Sequence, residues 1–390
     1  MPFASALSTL SETSRALDDV CNQVQNQGLT NPDLAFVFFS THHVPAVESL
    51  ATTFQERFHS RCLLGCIGES IVGNEQEIEN QPALCLWSAQ WNRPVFINPF
   101  HMELERTSEG FSLIGWPDAL VDAKPSQSAL FLLGDPFTFP IDQFLQEINV
   151  DHKGLPVMGG MASGIGEPGQ CRFLLGDRVL EHGAVGVLLQ GEVPVRSIVS
   201  QGCRPIGRPM VVTRAQDNFI VELGGKPPLV QLQDLWKALS PREKELWQQG
   251  LHIGRVINEY QEEFHRGDFL VRNVQGIDQK TGVLVITDRI RVGQTVQFQV
   301  RDAETADEDF HALMQMDLAA HEGKPAGALL FTCNGRGSRL FGKPHHDAGV
   351  IQKEIPNIPV AGFFAQGELG PIGRQNFIHG FTASVVLFED

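Results

Sequence analysis

The chain has one tyrosine, Tyr260, against 26 phenylalanines, and basic residues are scarce, with 30 Lys and Arg against 46 Asp and Glu. The formal net charge of -16 makes an acidic body that repels phosphate backbones, and no basic block offsets it, so nucleic-acid binding is not expected. No stretch approaches the roughly 18 apolar residues of a membrane span. The opening MPFASALSTL has neither a basic start nor a long apolar core, so no secretory signal is expected in it. Cys-x-x-Cys is missing. The seven cysteines, Cys21, Cys62, Cys66, Cys85, Cys171, Cys203 and Cys333, are odd in number and scattered, which argues against a zinc ribbon or thioredoxin site and fits free thiols in a reducing cytoplasm. Also absent are GxGxxG after the first strand, GxxxxGK[ST] and GxSxG, so dinucleotide, P-loop and α/β-hydrolase readings fall away. Thirteen histidines include the adjacent pairs His42-His43 and His345-His346, but no His-x-x-x-His. No metal site is expected.

What the chain does contain is 42% hydrophobic residues over 390 positions, enough for two or three packed domains. Three stretches share one order. In the first, DLAFVFFS reads as a strand, Val47, Leu50, Phe54 and Phe58 recur at helix spacing behind Pro45, and CLLGCIGES, IVGNEQEIE and PALCLW follow. The second runs SALFLLGDP, then a helical face of Ile141, Phe144, Leu145 and Ile148. LPVMGGMASG comes next, and a hairpin is expected to turn at Gly176-Asp177. The third runs GALLFTCNGRG, a short helix over 346–353, IPVAGFFAQGELGP and a closing strand over 376–388. Each is strand, helix, strand, glycine-rich loop, strand over roughly sixty residues. Continuous apolar strands imply sheets covered on both faces. A glycine loop lets a ligand approach the backbone, or meets the steric needs of a turn.

Between the second and third stretches the texture changes. Residues 193–223 read as β-rich, and 229–247 as helical with a break at Ser240-Pro241, where Ser240 and Glu243 suit a capping box. LHIGRVI, GDFLVRNVQGID, GVLVIT and TVQFQVRD read as strands, and 302–321 as a helix buried along Phe310, Leu313, Met314 and Leu318. The expected fold class is α/β: mixed sheets with helices on their faces, built from repeated strand-helix-strand-strand units, plus an inserted β-rich region. The expected domains are 1–240 and 241–390.

LLGCIGESIVGNEQEIE, GGMASG, GAVGV, VSQGCRPIGRPMVVTRAQDNFIVEL, CNGRG, GFFAQGELGP and NFIHGFTAS together resemble the FIST family, with a FIST N-terminal-like domain followed by a FIST C-terminal-like domain. The resemblance implies a sensory, small-ligand-binding module of signal transduction, for compounds such as amino acids. Bacterial members are often joined to kinase or methyl-accepting output domains, eukaryotic ones to F-box segments, and some bacterial members are haem-based nitric oxide sensors. These 390 residues leave no room for an output domain, so a separate output protein is the expected partner.

The candidate chemistry lies in two turns. Arg204, Arg208 and Arg214 follow Cys203, while Arg336 and Arg339 lie around the CNGRG loop that Cys333 opens. Guanidinium forks suit a carboxylate, and nearby glycine N–H groups add to an anion site. The alternative is internal pairing with Glu222, Glu368 or Asp347. Glu69 and Glu368, in GES and GELGP, suit a ligand amine or act as turn acids, and Glu167 sits in a shifted position. The ligand-binding candidates are Gln201, Cys203, Arg204, Cys333, Asn334, Gly335, Arg336, Gly337, Glu368 and His379. The ligand expected is a small anionic or zwitterionic molecule, with no catalytic residue assigned. A haem gas sensor is one alternative. An enzyme with Cys203 or Cys333 as nucleophile and His379 as base is the other.

Overall fold

The computed structural model describes residues 3–389 except 109, 193 and 266; the Val193 end of the expected β-rich stretch lies outside them. The chain forms two compact units, residues 1–199 with 311–390 and residues 200–310. Each of the expected segments, 1–240 and 241–390, therefore contributes to both units.

The larger unit opens with β1 (Phe3–Ser8) and α1 (Thr13–Asn26). The first repeat is β2 (Leu34–Ser40), α2 (Val47–Phe58), β3 (Cys62–Gly68), the hairpin β4 (Ser70–Gly73) and β5 (Gln76–Glu79), and β6 (Leu84–Ala89). After the ribbon β7 (Val95–Thr107) and β8 (Gly110–Ile114), the second repeat has β9 (Ser128–Gly134), α3 (Ile141–Asp151) and β10 (Val157–Met161). It ends with the hairpin β11 (Phe173–Leu175) and β12 (Arg178–Leu180), and β13 (Ala184–Gly191). β14 (Val195–Gln201) follows.

Residues 200–310 contain β15 (Cys203–Pro205), β16 (Met210–Gln216), β17 (Phe219–Leu223), α4 (Pro228–Ala238), α5 (Pro241–Gln249), β18 (Leu251–Val256), β19 (Phe269–Ile277), β20 (Leu284–Ile286) and β21 (Thr295–Arg301), and α6 (Ala303–Ala320) begins there. The third repeat is β22 (Pro325–Cys333), the single turn α7 (Ser338–Phe341), α8 (His346–Glu354), β23 (Val360–Ala365), the hairpin β24 (Glu368–Ile372) and β25 (Gln375–His379), and β26 (Thr382–Glu389). The expected closing strand thus breaks in two, at a turn where Phe381 takes a φ of 65°.

In each repeat the two long strands pair in parallel and the last strand returns antiparallel beside the first. The hairpin does not join its own sheet. Hairpin β4–β5 pairs through β4 with β23 of the third repeat, β11–β12 with β3 of the first, and β24–β25 with β10 of the second. The sheet orders are accordingly β1-β6-β2-β3-β11-β12, β25-β24-β10-β9-β13-β7-β8 and β14-β26-β22-β23-β4-β5. The three repeats exchange hairpins in a closed cycle.

Local chemistry makes the exchange work. Each hairpin turns on a left-handed residue, Asn74 (φ 52°), Gly176 (φ 62°) or Gly373 (φ 61°), positions that Asn and Gly accept at low steric cost. Each second strand carries a glycine against the first: a Cβ on Gly65, Gly159 or Gly362 would run into the carbonyl oxygen of Val37, Leu132 or Leu330. Phenylalanines from all three first strands meet in the core. Phe38 lies 5.3 Å from Phe363 and 6.2 Å from Phe331, and Phe36 lies 5.8 Å from Phe131. Fully burying each such ring contributes about 1.5–3 kcal/mol. The helices cover outer faces as their apolar spacing requires, with Ile141, Phe144, Leu145 and Ile148 of α3 buried.

In the smaller unit the strand order is β15-β21-β16-β17-β20-β19-β18, and β18 pairs back onto β21 to close a barrel. Its interior holds Val212, Ile220, Ile253, Leu284, Val296 and Phe298. The break between α4 and α5 carries the expected capping box: Ser240 Oγ accepts from the Glu243 N–H, and Glu243 accepts from the Ser240 N–H.

Candidate functional site

The loops after the second strands come together in the larger unit. The β3–β4 link is the single residue Glu69, whose N–H donates to Ser163 Oγ in GGMASG at 2.8 Å; Ser163 Oγ in turn donates to the carbonyl of Phe364 beside GELGP. The Met161 N–H donates to Gly367 O at 2.8 Å, and the Gln366 N–H to Met161 O at 3.0 Å. Glu69 Oε1 accepts from Arg339 Nη2 at 2.5 Å, and Arg339 Nη1 donates to Asn334 O at 3.0 Å. Residues from all three repeats therefore build one neighbourhood around CNGRG.

That turn is tight. The Asn334 N–H donates to Ala365 O at 3.0 Å, and the Arg336 N–H to Cys333 O at 2.8 Å. Gly337 has a φ of 58°, and a Cβ there would lie 2.7 Å from both Glu79 Oε1 and the Phe364 ring. Glycine is required at that position for both reasons.

Arg336 is fully buried and forks onto Asp347: Nε donates to Oδ2 at 2.7 Å and Nη2 to Oδ1 at 2.8 Å. Asp347 Oδ2 also accepts from Thr332 Oγ1 at 2.6 Å, and Oδ1 lies 2.9 Å from His346 Nδ1. Burial alone would push this carboxyl up, yet the guanidinium and its hydrogen bonds hold it well below the usual carboxylate range. The His346 ring stacks on Phe341 with centroids 3.3 Å apart, and Arg336 lies over the same ring at 5.2 Å. The internal pairing weighed from sequence is thus present at Arg336–Asp347, and also at Arg214–Glu222, 2.9 Å apart.

Glu368 is fully buried beside this turn. Its Oε2 accepts from Thr382 Oγ1 at 2.8 Å and from the Thr382 N–H at 3.2 Å. Burial pushes the carboxyl up to about 8, against the opposing pull of Thr382, the Cys333 thiol and Arg336. His379 stands opposite Glu368 in the β24–β25 ladder, with Nε2 2.9 Å from Gly370 O. Three buried polar atoms here have no hydrogen-bond partner: Arg336 Nη1, Glu368 Oε1 and Asn334 Oδ1. Of the seven cysteines only Cys333 is less than fully buried. Burial pushes Cys21, Cys62 and Cys85 up to about 12, and Cys66 and Cys171 also go up strongly.

Gln201, Cys203 and Arg204 belong to the smaller unit. Gln201 Nε2 donates to Phe269 O at 2.7 Å, and its N–H to Asp309 Oδ2 at 2.9 Å. Cys203 is buried in β15, and half-exposed Arg204 lies 3.7 Å from Asp302. Asp302 takes the stronger partner Arg242 at 3.0 Å. Glu167 is exposed and accepts from Gln170.

Sequence reading did not single out Glu77. It is buried on β5, and its Oε1 accepts from the Ala348 N–H at 2.8 Å at the start of α8. Its position in a polar hairpin gave no sign that α8 would cover it.

At the candidate site the imidazoles are engaged, His379 with Gly370 O and His346 with Asp347. Among the described residues no group of three or more His, Cys, Asp and Glu could hold a metal, and no helix is long and apolar enough to cross a membrane.

The larger unit is built of three α/β repeats of one pattern, and its 333–337 turn carries buried donor and acceptor atoms without partners. The chain belongs to the FIST family. The FIST N domain model matches residues 33–226 and the FIST C domain model residues 232–371. It is 42% identical over 359 residues to an uncharacterized protein of Mycobacterium tuberculosis strain H37Rv, covering 92% of each chain. An uncharacterized protein of Mycobacterium bovis is 41% identical over 359 residues, covering 92% of this chain and 91% of its own. FIST domains are associated with the sensing of small ligands in signal transduction.

Proposed function

We propose that this chain is a sensory ligand-binding protein of signal transduction. Its ligand is a small zwitterion of the amino-acid class, held at the Cys333–Gly337 turn with Glu368. The observation that carries this reading is the set of unmet buried atoms there, one donor, Arg336 Nη1, and two acceptors, Glu368 Oε1 and Asn334 Oδ1. Buried polar groups are normally satisfied, and leaving one unpaired costs about 1–3 kcal/mol. A ligand carboxylate answers the guanidinium, and a ligand ammonium answers the two oxygens. Because Asp347 takes the other face of Arg336, the guanidinium is fixed before the ligand arrives. The signal leaves through a separate output protein.

Calorimetric titration with a panel of amino acids and organic acids, in buffers of differing ionisation enthalpy, tests this reading. An ammonium placed beside Glu368 drives the neutral carboxyl to ionise, so binding at pH 7 releases a proton. Glu368→Gln abolishes that release and weakens amine-bearing ligands at least about ten-fold, the effect of a lost charge-assisted bond. Silence across the panel, or binding unchanged in Glu368→Gln, overturns the reading.

A further inference from the structure

We infer that Cys333 is a peroxide-reactive thiol, with Glu368 as the group that takes and returns its proton, a function beyond ligand binding at the same turn. Three observations converge. Cys333 ends β22 and is the cysteine with access to solvent, while the other six are buried. The Glu368 carboxyl is fully buried, interacts with the Cys333 thiol, and keeps one oxygen, Oε1, without a hydrogen-bond partner while Thr382 holds the other. Arg336, whose charge also acts on Cys333, has an unmet donor, Nη1. The Cys333 thiol thus interacts with both a proton acceptor and a cation that carries a spare donor.

The chemistry balances with a hydroperoxide as oxidant. The thiol proton passes to the Glu368 carboxylate. The thiolate attacks the terminal oxygen of ROOH, the S–O bond forms and the O–O bond breaks. Sulfur is oxidised to sulfenic acid, the peroxide is reduced, and RO⁻ leaves toward Arg336 Nη1. Glu368 returns the proton to give ROH. Thiolate and access are what such oxidation requires.

A base must be ionised, and burial pushes Glu368 up to about 8, so oxidation accelerates as pH rises through that value. The groups facing Glu368 are Thr382 from β26, Cys333 and Arg336 from the β22 turn, and His379 across the β25 ladder; β10 brings only Gly160.

The full chain is treated with hydrogen peroxide and a cyclic 1,3-dione that traps sulfenic acid, and adducts are read by peptide mass spectrometry. The expected adduct is on Cys333, with a rate that rises through pH 8. Glu368→Gln slows it at least about ten-fold at pH 7 and removes the inflection, within the usual range for general base catalysis. Thr382→Val, which removes a donor to the carboxylate, moves the inflection upward. A flat wild-type pH profile, adducts only on other cysteines, or an unchanged rate in folded Glu368→Gln overturns the inference. No amino acid is present in this assay and its readout is a covalent adduct rather than binding heat, so failure here is distinct from failure of the ligand reading.

Discussion

Glu77 Oε1 accepts a hydrogen bond from the Ala348 N–H at 2.8 Å, across 271 positions of sequence. The Glu77 N–H donates to His345 Nδ1 at 2.9 Å. A hairpin of the first repeat is thereby latched to the first turn of a helix in the third, where free N–H groups favour a carboxylate. Removing the acceptor with Glu77→Ala strands those amides and is expected to cost about 1–3 kcal/mol in denaturant unfolding.

The same residue sets a pH dependence. Burial, then the nearby Asp347 charge, pushes Glu77 up to about 8, and burial does the same to Glu368. A carboxyl whose folded pKa is raised contributes stability that is fully present below its unfolded value and is lost as pH rises through the folded one. The larger unit should lose stability between about pH 4.5 and 8. Glu77→Gln should flatten that slope, measured as urea midpoints across the range.

Arg336 and Asp347 are both fully buried. Breaking one side of such a pair leaves an uncompensated charge. Asp347→Ala is expected to destabilise by about 3–5 kcal/mol, whereas Arg336→Met with Asp347→Leu should cost much less. Denaturant titration of the single and double variants separates the two outcomes.

The second-strand glycines give a prediction in triplicate. Gly65→Ala, Gly159→Ala and Gly362→Ala each drive a Cβ into a carbonyl of the neighbouring first strand. Each should destabilise by more than about 2 kcal/mol, since backbone must shift and the sheets are closely packed. Half-buried Gly176→Ala, with open space around its Cβ position, should cost only the strain of its left-handed φ.

In the smaller unit, burial and then Arg301 push His252 down to about 4. A histidine kept neutral when folded loses its contribution as pH falls from its unfolded value near 6.5 toward 4. Hydrogen exchange over residues 251–256 should accelerate across that window, and His252→Gln should suppress the change.

Much of this architecture is legible from local sequence. DLAFVFFS, SALFLLG and GALLFTC are strands because they are continuous apolar runs, and the α2, α3, α5 and α8 signals lie where the helices form. The pairing partners are not legible, because IVGNEQEIE carries no mark of which sheet edge it will join. The apparent glycine loops in GES and AQGEL are crossovers of one or two residues, where the chain leaves one sheet for another. At the site, the arginine, cysteine and acid types could be read. That Asp347, rather than Glu368, would take the Arg336 fork depends on α8 folding back over the turn, which no spacing encodes.

The cyclic exchange also constrains how the chain is made. Ile71 pairs with Phe363, so the first hairpin has no sheet to enter until nearly the whole polypeptide has been synthesised. During that interval an apolar edge stays open, and sites of such wide sequence separation close slowly. Loss of the last thirty or so residues should therefore deprive the second repeat of its incoming hairpin and leave the third without its return strand, turning a small C-terminal truncation into a failure of the entire larger unit.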